Sequence, residues 1–124
     1  MQSEALVPVE FPPTRSYGLE GFWNAQERII EDVTEERIRQ NVKWRCERLT
    51  SGCHPVSEWS MILGEEAGET QQAMSDLWFR KDDTQRHALV AHLREELVQV
   101  AAVCFAVIER IDDNDPHILQ RRHS

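Results

Sequence analysis

The chain has 124 residues, of which 40% are hydrophobic and 29% charged, and its formal net charge is -8. That length accommodates one domain with its own hydrophobic core, and not two. The acidic balance disfavours nucleic acid and anionic membranes as partners, because like charges repel. A phosphate-bearing ligand would therefore have to arrive together with a divalent cation.

The sequence gives no signal for export or membrane insertion. The segment Met1–Pro13 lacks the basic start that a targeting peptide would have. The most apolar run, Leu97–Ile108, has 12 residues, whereas a membrane-spanning helix needs roughly 20. The three cysteines form no Cys-x-x-Cys pair, which favours a reducing, cytoplasmic setting.

The first half of the chain predicts one extended segment and one helical stretch. Residues 1–17 contain three prolines, so we expect an extended or poorly ordered terminus. Residues 18–50 predict helix, with a joint at Thr34, where Glu35 and Glu36 follow a good N-cap residue. The apolar positions expected to face the core are Phe22, Ala25, Ile29, Ile30, Val33, Ile38 and Val42.

The second half predicts two long helices and a polar tail. One helix spans about residues 58–79, with Ser57 as its N-cap, and the next runs from a cap at Asp83 or Thr84 to about Ile111. Asp115-Pro116 ends the helical region, because a residue that precedes proline disfavours helical geometry. With no strand pattern anywhere, we expect an all-α bundle of about four helices over residues 18–116, followed by a tail over residues 117–124.

Both long helices carry acidic side chains within an apolar stripe. Steps of three or four residues place a set of side chains on one face of a helix. In the first helix this set is Trp59, Ile62, Glu66, Glu69, Ala73 and Leu77. In the second it is Leu89, Leu93, Glu96, Val100, Val103 and Val107, with Gln99 one turn beyond Glu96.

This pattern predicts a metal site between the two helices. Carboxylates at positions i and i+3 lie about 5–6 Å apart, and two of them repel by roughly 3 kcal/mol at an effective dielectric constant near 20. Oxygen ligands favour hard cations, so Mg2+ is expected, with Mn2+ as a substitute. The candidate ligands are Glu66, Glu69, Glu96 and Gln99. Beside them, Glu65 and Glu95 are candidates for supporting the ligands or for holding an attacking water as catalytic groups.

The two acidic motifs also resemble those of a known family. Residues 64–69 (GEEAGE) followed by residues 93–100 (LREELVQV) are similar to the MazG-like branch of the all-α nucleoside triphosphate pyrophosphohydrolases. Residues 36–44 (ERIRQNVKW) resemble an element found upstream in many small members. The resemblance covers about residues 30–112.

The resemblance implies a dimerising, sometimes tetrameric, helical bundle that hydrolyses a nucleoside triphosphate to a monophosphate and pyrophosphate with Mg2+. Glu66, Glu69 and Glu96 would hold the metal. Lys43 would lie near the substrate through its charge, and Trp44 would stack on a base. Gln40, in the same upstream element, would also contact substrate.

Two positions depart from the family pattern. Arg45 stands where relatives often have a glycine after Lys-Trp, and the second departure concerns the acidic motif itself. Gln99 stands where the family has an aspartate, and glutamine offers a carbonyl oxygen without a charge. Two interpretations stay open: an active branch of the family, or a non-catalytic protein of the same fold that binds nucleotides or serves in oligomerisation. A di-iron bundle would need Glu-x-x-His motifs, which the sequence lacks. Cys46, Cys53 and His54 match no common zinc spacing.

Overall fold

The computed structural model describes residues 18–43, 54–80 and 83–119. Within these ranges the chain forms the helices α1 (Leu19–Lys43), α2 (Val56–Phe79), α3 (Arg86–Asp112) and α4 (Pro116–Leu119), with a 3-10 helix at Asp83–Gln85. None of the described residues lies in a strand, which confirms the all-α prediction. Among the same residues, no helix combines the length and the apolar character that crossing a membrane requires.

Helices α2 and α3 form an antiparallel hairpin that contains the hydrophobic core. Trp59, near the start of α2, packs with Val103 and Ala106, near the end of α3, and with Ile118 of α4. Ile62 and Val107 extend this cluster along the two helices. The predicted apolar stripes therefore do face each other, with Trp59 and Val103 each at most 2% exposed.

Helix α1 packs on α3 through a largely polar face. Its buried residues are Val33, Glu36, Arg37, Gln40 and Asn41. The Arg37 guanidinium donates to the carboxylate of Glu109 (2.6 Å) and to the side chain of Asn41 (2.7 Å). Hydrogen bonds and ion pairs thus supply partners for the buried polar groups of this interface, which contains few apolar contacts.

The apolar residues of α1 that were expected to face the core are mostly exposed. Val33 alone among them is fully buried, and five are between 44% and 74% exposed: Phe22, Ile29, Ile30, Ile38 and Val42. The expectation is wrong for these five residues, and most of the residues that α1 buries instead are polar.

The joint predicted at Thr34 is also wrong. Helix α1 continues through this residue without a break, and the Thr34 hydroxyl donates to the carbonyl oxygen of Ile30 (2.7 Å) instead of capping a new helix. Such a bond to the preceding turn lets threonine sit inside a helix. Residues 44–50 of the predicted helix lie outside the described residues.

The predicted caps of α2 and α3 are displaced as well. Pro55, not Ser57, is the N-cap of α2, and no side chain caps that end; the carbonyl of Pro55 accepts from the amides of Glu58 and Trp59. Helix α3 begins at Arg86, after Gln85 in the N-cap position. Asp83 and Thr84 belong to the preceding 3-10 helix, a type of turn that is frequent at the start of α-helices.

The end of α3 is close to its predicted position and is followed by a tight turn. Asn114 has a positive φ of 55°, a conformation that asparagine tolerates better than most residues. The amide of Asp115 donates to the carbonyl of Arg110 (2.9 Å). This turn directs α4 back so that Ile118 reaches the core.

Shortening a core side chain should test this packing. We expect Val103→Ala to lower the free energy of unfolding by about 2 kcal/mol, since it removes two buried carbon atoms and leaves a cavity. Val90→Ala, on the same helix but at a position that is 48% exposed, should change it by less than about 0.5 kcal/mol. Urea denaturation followed by circular dichroism measures both, and equal losses would contradict the core assignment.

Candidate metal centre

Three glutamates from two helices converge on one point. Glu66 and Glu69 lie one turn apart on α2, and Glu96 faces them from α3. Carboxylate oxygens of all three lie within 4.8 Å of one another. Because the hairpin is antiparallel, the middle of α2 meets the middle of α3, and the two acidic motifs coincide there.

Two of these glutamates are buried and the third is exposed. Glu66 is 8% and Glu96 is 7% exposed, whereas Glu69 lies at the open side of the cluster. The hydroxyl of Thr70 donates to the backbone carbonyl of Glu66 (2.9 Å) and lies 3.4 Å from that of Glu96. This contact joins the two backbones next to the carboxylates and holds the helices in register.

The side chain of Gln99 completes the cluster. Its amide nitrogen donates to Oε2 of Glu66 (3.1 Å) and to Oε2 of Glu96 (3.2 Å). The nitrogen is assigned to this side of the amide because an oxygen there would face only acceptors. On the other side of the same turn, Gln40 donates from Nε2 to the backbone carbonyl of Gln99 (3.0 Å), which ties α1 to the cluster.

The surroundings of Glu96 disfavour its charged form. Burial raises the pKa of the Glu96 carboxyl above its usual value, and the nearby carboxylate of Glu69 raises it further. His92, with Nε2 3.6 Å from Oε1 of Glu96, acts in the opposite direction and lowers this pKa. A proton, an amide or a cation can each relieve the repulsion among these carboxylates.

The donor atoms suit a hard divalent cation. With bonds of about 2.1 Å, oxygens of an octahedral Mg2+ site are about 3.0 Å apart when adjacent and about 4.2 Å apart when opposite. Three ligands include at most one opposite pair, so the separation of up to 4.8 Å among the carboxylate oxygens would need an inward movement of the side chains. Glu69 is exposed and can supply it by rotating about its side-chain bonds.

Other predicted site residues occupy different surroundings. Glu65 and Glu95 are both exposed, so neither is confined within the cluster. Gln40 is buried, at 3% exposure, between α1 and the turn of α3 that carries Gln99. The side chain of Lys43, and Trp44 as a whole, lie outside the part of the chain that the structure describes.

A groove of about 320 Å³ adjoins the cluster between α1 and α3. Glu95 and Gln99 line its α3 side, so it meets the cluster at Gln99. Two arginines also line it, each paired with a carboxylate at 2.6 Å: Arg94 with Asp32 and Arg39 with Glu36. The remaining lining residues are Glu35 and Val98.

The sequence interpretation missed two residues at this centre. His92 lies outside both acidic motifs, yet its spacing of four from Glu96 places both on one face of α3. Thr70 was not singled out, although it follows Glu66 by four residues in the same way. Helical spacing to a candidate ligand was the signal that could have found both.

Comparison of the chain with protein-family models, with curated proteins and with solved structures finds no match in any of the three. The likeness to MazG-like proteins therefore depends on the motif residues alone, and the function has to be argued from the geometry of the carboxylates and their neighbours.

The raised pKa of Glu96 predicts a pH dependence of stability in buffer containing EDTA. A group whose pKa is higher in the folded state favours folding in its protonated form. This contribution is complete below the usual value of 4.5 and is lost as the pH rises through the pKa of the folded state. Glu96→Gln stays neutral, so we expect it to gain stability relative to the wild type as the pH rises.

Melting temperatures measured from pH 4 to pH 8 check this expectation. Glu27→Gln, which changes an exposed carboxylate on α1, serves as the control. A difference between Glu96→Gln and wild type that does not change over this range would show that the Glu96 carboxyl is not destabilised by its surroundings.

Proposed function

We propose that the protein is a Mg2+-dependent nucleoside triphosphate pyrophosphohydrolase that releases a nucleoside monophosphate and pyrophosphate. One observation carries the proposal: Glu66, Glu69 and Glu96 bring carboxylate oxygens from two helices within 4.8 Å of one another. Two of the three are buried, a costly arrangement for like charges unless a counter-charge accompanies them. The similarity of both acidic motifs to MazG-like proteins supports the same reaction.

Each residue of the centre has a role in this proposal. Glu66, Glu69 and Glu96 hold the cation, and Gln99 offers a fourth oxygen. When bound, a divalent cation neutralises charge on the triphosphate and orients the attacking water. Glu95, which is exposed and lines the groove, is the candidate to accept a proton from that water, and Glu65 is the equivalent candidate on α2.

The groove beside Gln99 suits the phosphate chain. Arg39 and Arg94 line it and are 72% and 56% exposed at their side chains, so both can exchange a carboxylate partner for a phosphate. The groove also holds carboxylates, which repel an uncomplexed anion. This balance favours a nucleotide that arrives with its own divalent cation over a free phosphate.

Turnover of nucleotides tests the proposal directly. With Mg2+ and a panel of ribo- and deoxyribonucleoside triphosphates, we expect release of pyrophosphate rather than orthophosphate, and loss of activity when EDTA removes the metal. Glu69→Gln should lower kcat at least about a hundredfold, as expected for loss of a charged metal ligand. Ion chromatography distinguishes the two products.

Glu58→Gln is the matched control, because it changes an exposed glutamate on the same helix away from the cluster. It should retain wild-type activity, with unchanged helix content in both variants. Full activity in Glu69→Gln would show that the carboxylate cluster is not the catalytic metal site.

A non-catalytic nucleotide-binding or oligomerisation protein is the second candidate. The observation that favours it is the amide of Gln99, which bridges Glu66 and Glu96 and so already relieves part of their repulsion. Nucleotide binding by calorimetry with no turnover of any triphosphate would support this alternative over the enzyme.

We also propose that the protein is a homodimer in which a second copy covers α1. The apolar residues in the first half of this helix are exposed. Their spacing of four or seven residues places them on the same side of the helix as the residues that are buried in its second half. They are Leu19, Phe22, Trp23, Ile29 and Ile30, each between 44% and 74% exposed. An apolar surface of this extent is typical of a protein interface.

The mass in solution tests the dimer. Light scattering after size-exclusion chromatography should give twice the mass of the chain, and Ile30→Lys should give a monomer because it buries a charge in the interface. Arg28→Glu, an exposed charge change on the opposite face of the same helix, should stay dimeric. A monomeric wild type would contradict the proposal.

A further inference from the structure

The amide of Gln99 occupies the position between two buried carboxylates. With the amide nitrogen assigned to this side, the NH2 group donates to Oε2 of Glu66 at 3.1 Å and to Oε2 of Glu96 at 3.2 Å. Both acceptors belong to residues that are more than nine-tenths buried. An ionised carboxylate gains more from such a bond than a neutral acceptor does.

We propose that Gln99 is a positioning residue that holds Glu66 and Glu96 together in the metal-free protein and releases them when a cation binds. In the metal-free state its N–H groups supply the partial positive charge that these carboxylates need. Release requires a half-turn of the amide about its terminal side-chain bond, which exchanges its nitrogen and oxygen. This release step rests on the proposed metal-dependent function, whereas the positioning role does not.

The half-turn follows from the charges of the groups involved. A cation close to Oε2 of Glu66 and Oε2 of Glu96 would repel the hydrogens of an NH2 group bonded to the same atoms. Turning the amide removes this repulsion and presents Oε1, a neutral oxygen ligand. The cost of breaking two hydrogen bonds raises the cation concentration needed for binding, so Gln99 would set a threshold that an aspartate would not.

The backbone around the amide is anchored, which confines the change to the side chain. The backbone carbonyl of Gln99 accepts from Nε2 of Gln40 (3.0 Å), and Thr70 connects the backbones at Glu66 and Glu96. A rotation of one side chain therefore does not require movement of α2 or α3.

Two substitutions separate the positioning role from the release step. Gln99→Leu removes the amide, and Gln99→Glu replaces it by a carboxylate of nearly the same shape. In EDTA, we expect both to melt at lower temperature than the wild type, with the larger decrease for Gln99→Glu. Gln71→Leu, at an exposed position on α2, is the control and should melt close to the wild type.

Saturating Mn2+ should offset the loss of melting temperature in Gln99→Glu. We expect Gln99→Glu to gain more in melting temperature than the wild type does, and to bind Mn2+ at least about tenfold more tightly by calorimetry. A wild-type melting temperature for Gln99→Leu in EDTA would overturn the positioning role.

Nuclear magnetic resonance observes the amide in the wild-type protein, so the test does not depend on a variant that folds. In EDTA, the side-chain NH2 protons of Gln99 should exchange slowly with solvent, and their signals should shift when Mg2+ is added. Solvent-like exchange in EDTA would overturn the proposal. Slow exchange with no change on adding Mg2+ or Mn2+ would overturn the release step and the proposed metal function, while the positioning role would stand.

Discussion

The structure depends on the placement of two like charges inside a helical hairpin. Glu66 and Glu96 lie on facing helices, each less than a tenth exposed, at a distance where they repel. Nothing about a hydrophobic core requires this arrangement, since leucine at either position would pack without an electrostatic cost. The amide of Gln99 donates to both carboxylates, and the hydroxyl of Thr70 donates to the backbone carbonyl of Glu66. Neighbouring polar groups are thus arranged around the two glutamates.

The packing of α1 likewise depends on buried polar groups that are held by hydrogen bonds. Gln40 bonds to the turn that carries Gln99, and Arg37 reaches Glu109 near the end of α3. The guanidinium of Arg110 is buried close to Arg37, and burial together with this neighbouring charge lowers its pKa. Directional bonds of this type specify the position of a helix more narrowly than apolar contact does, but they contribute little net stability. The apolar residues that α1 leaves exposed are consistent with a further surface covering it.

Sequence periodicity was enough to predict the hairpin and the meeting of its acidic motifs. Trp59, Glu66 and Ala73 fall on one face because the helix repeat is regular, and all three are buried. The same reasoning failed for α1, where Ile30 and Val42 are exposed and Gln40 is buried, because a polar interface leaves no hydrophobic signal in the sequence. The predicted cap positions were wrong for a related reason. A good capping residue such as Ser57 expresses only a local preference, and α2 begins earlier, with Pro55 as its N-cap.

The role of Gln99 depends on a property that no sequence pattern contains, the direction in which an amide faces. As an oxygen ligand, Gln99 is a weak substitute for aspartate, because it carries no charge. As a nitrogen donor, it bonds to both buried carboxylates. The two roles exclude each other at any instant, since one amide cannot turn both atoms toward the same space. If the cluster binds a cation as proposed, a glutamine at this position would couple the geometry of the carboxylates to the presence of that cation. An aspartate, which has no N–H group, could bind a metal more strongly but could not stabilise the centre without one.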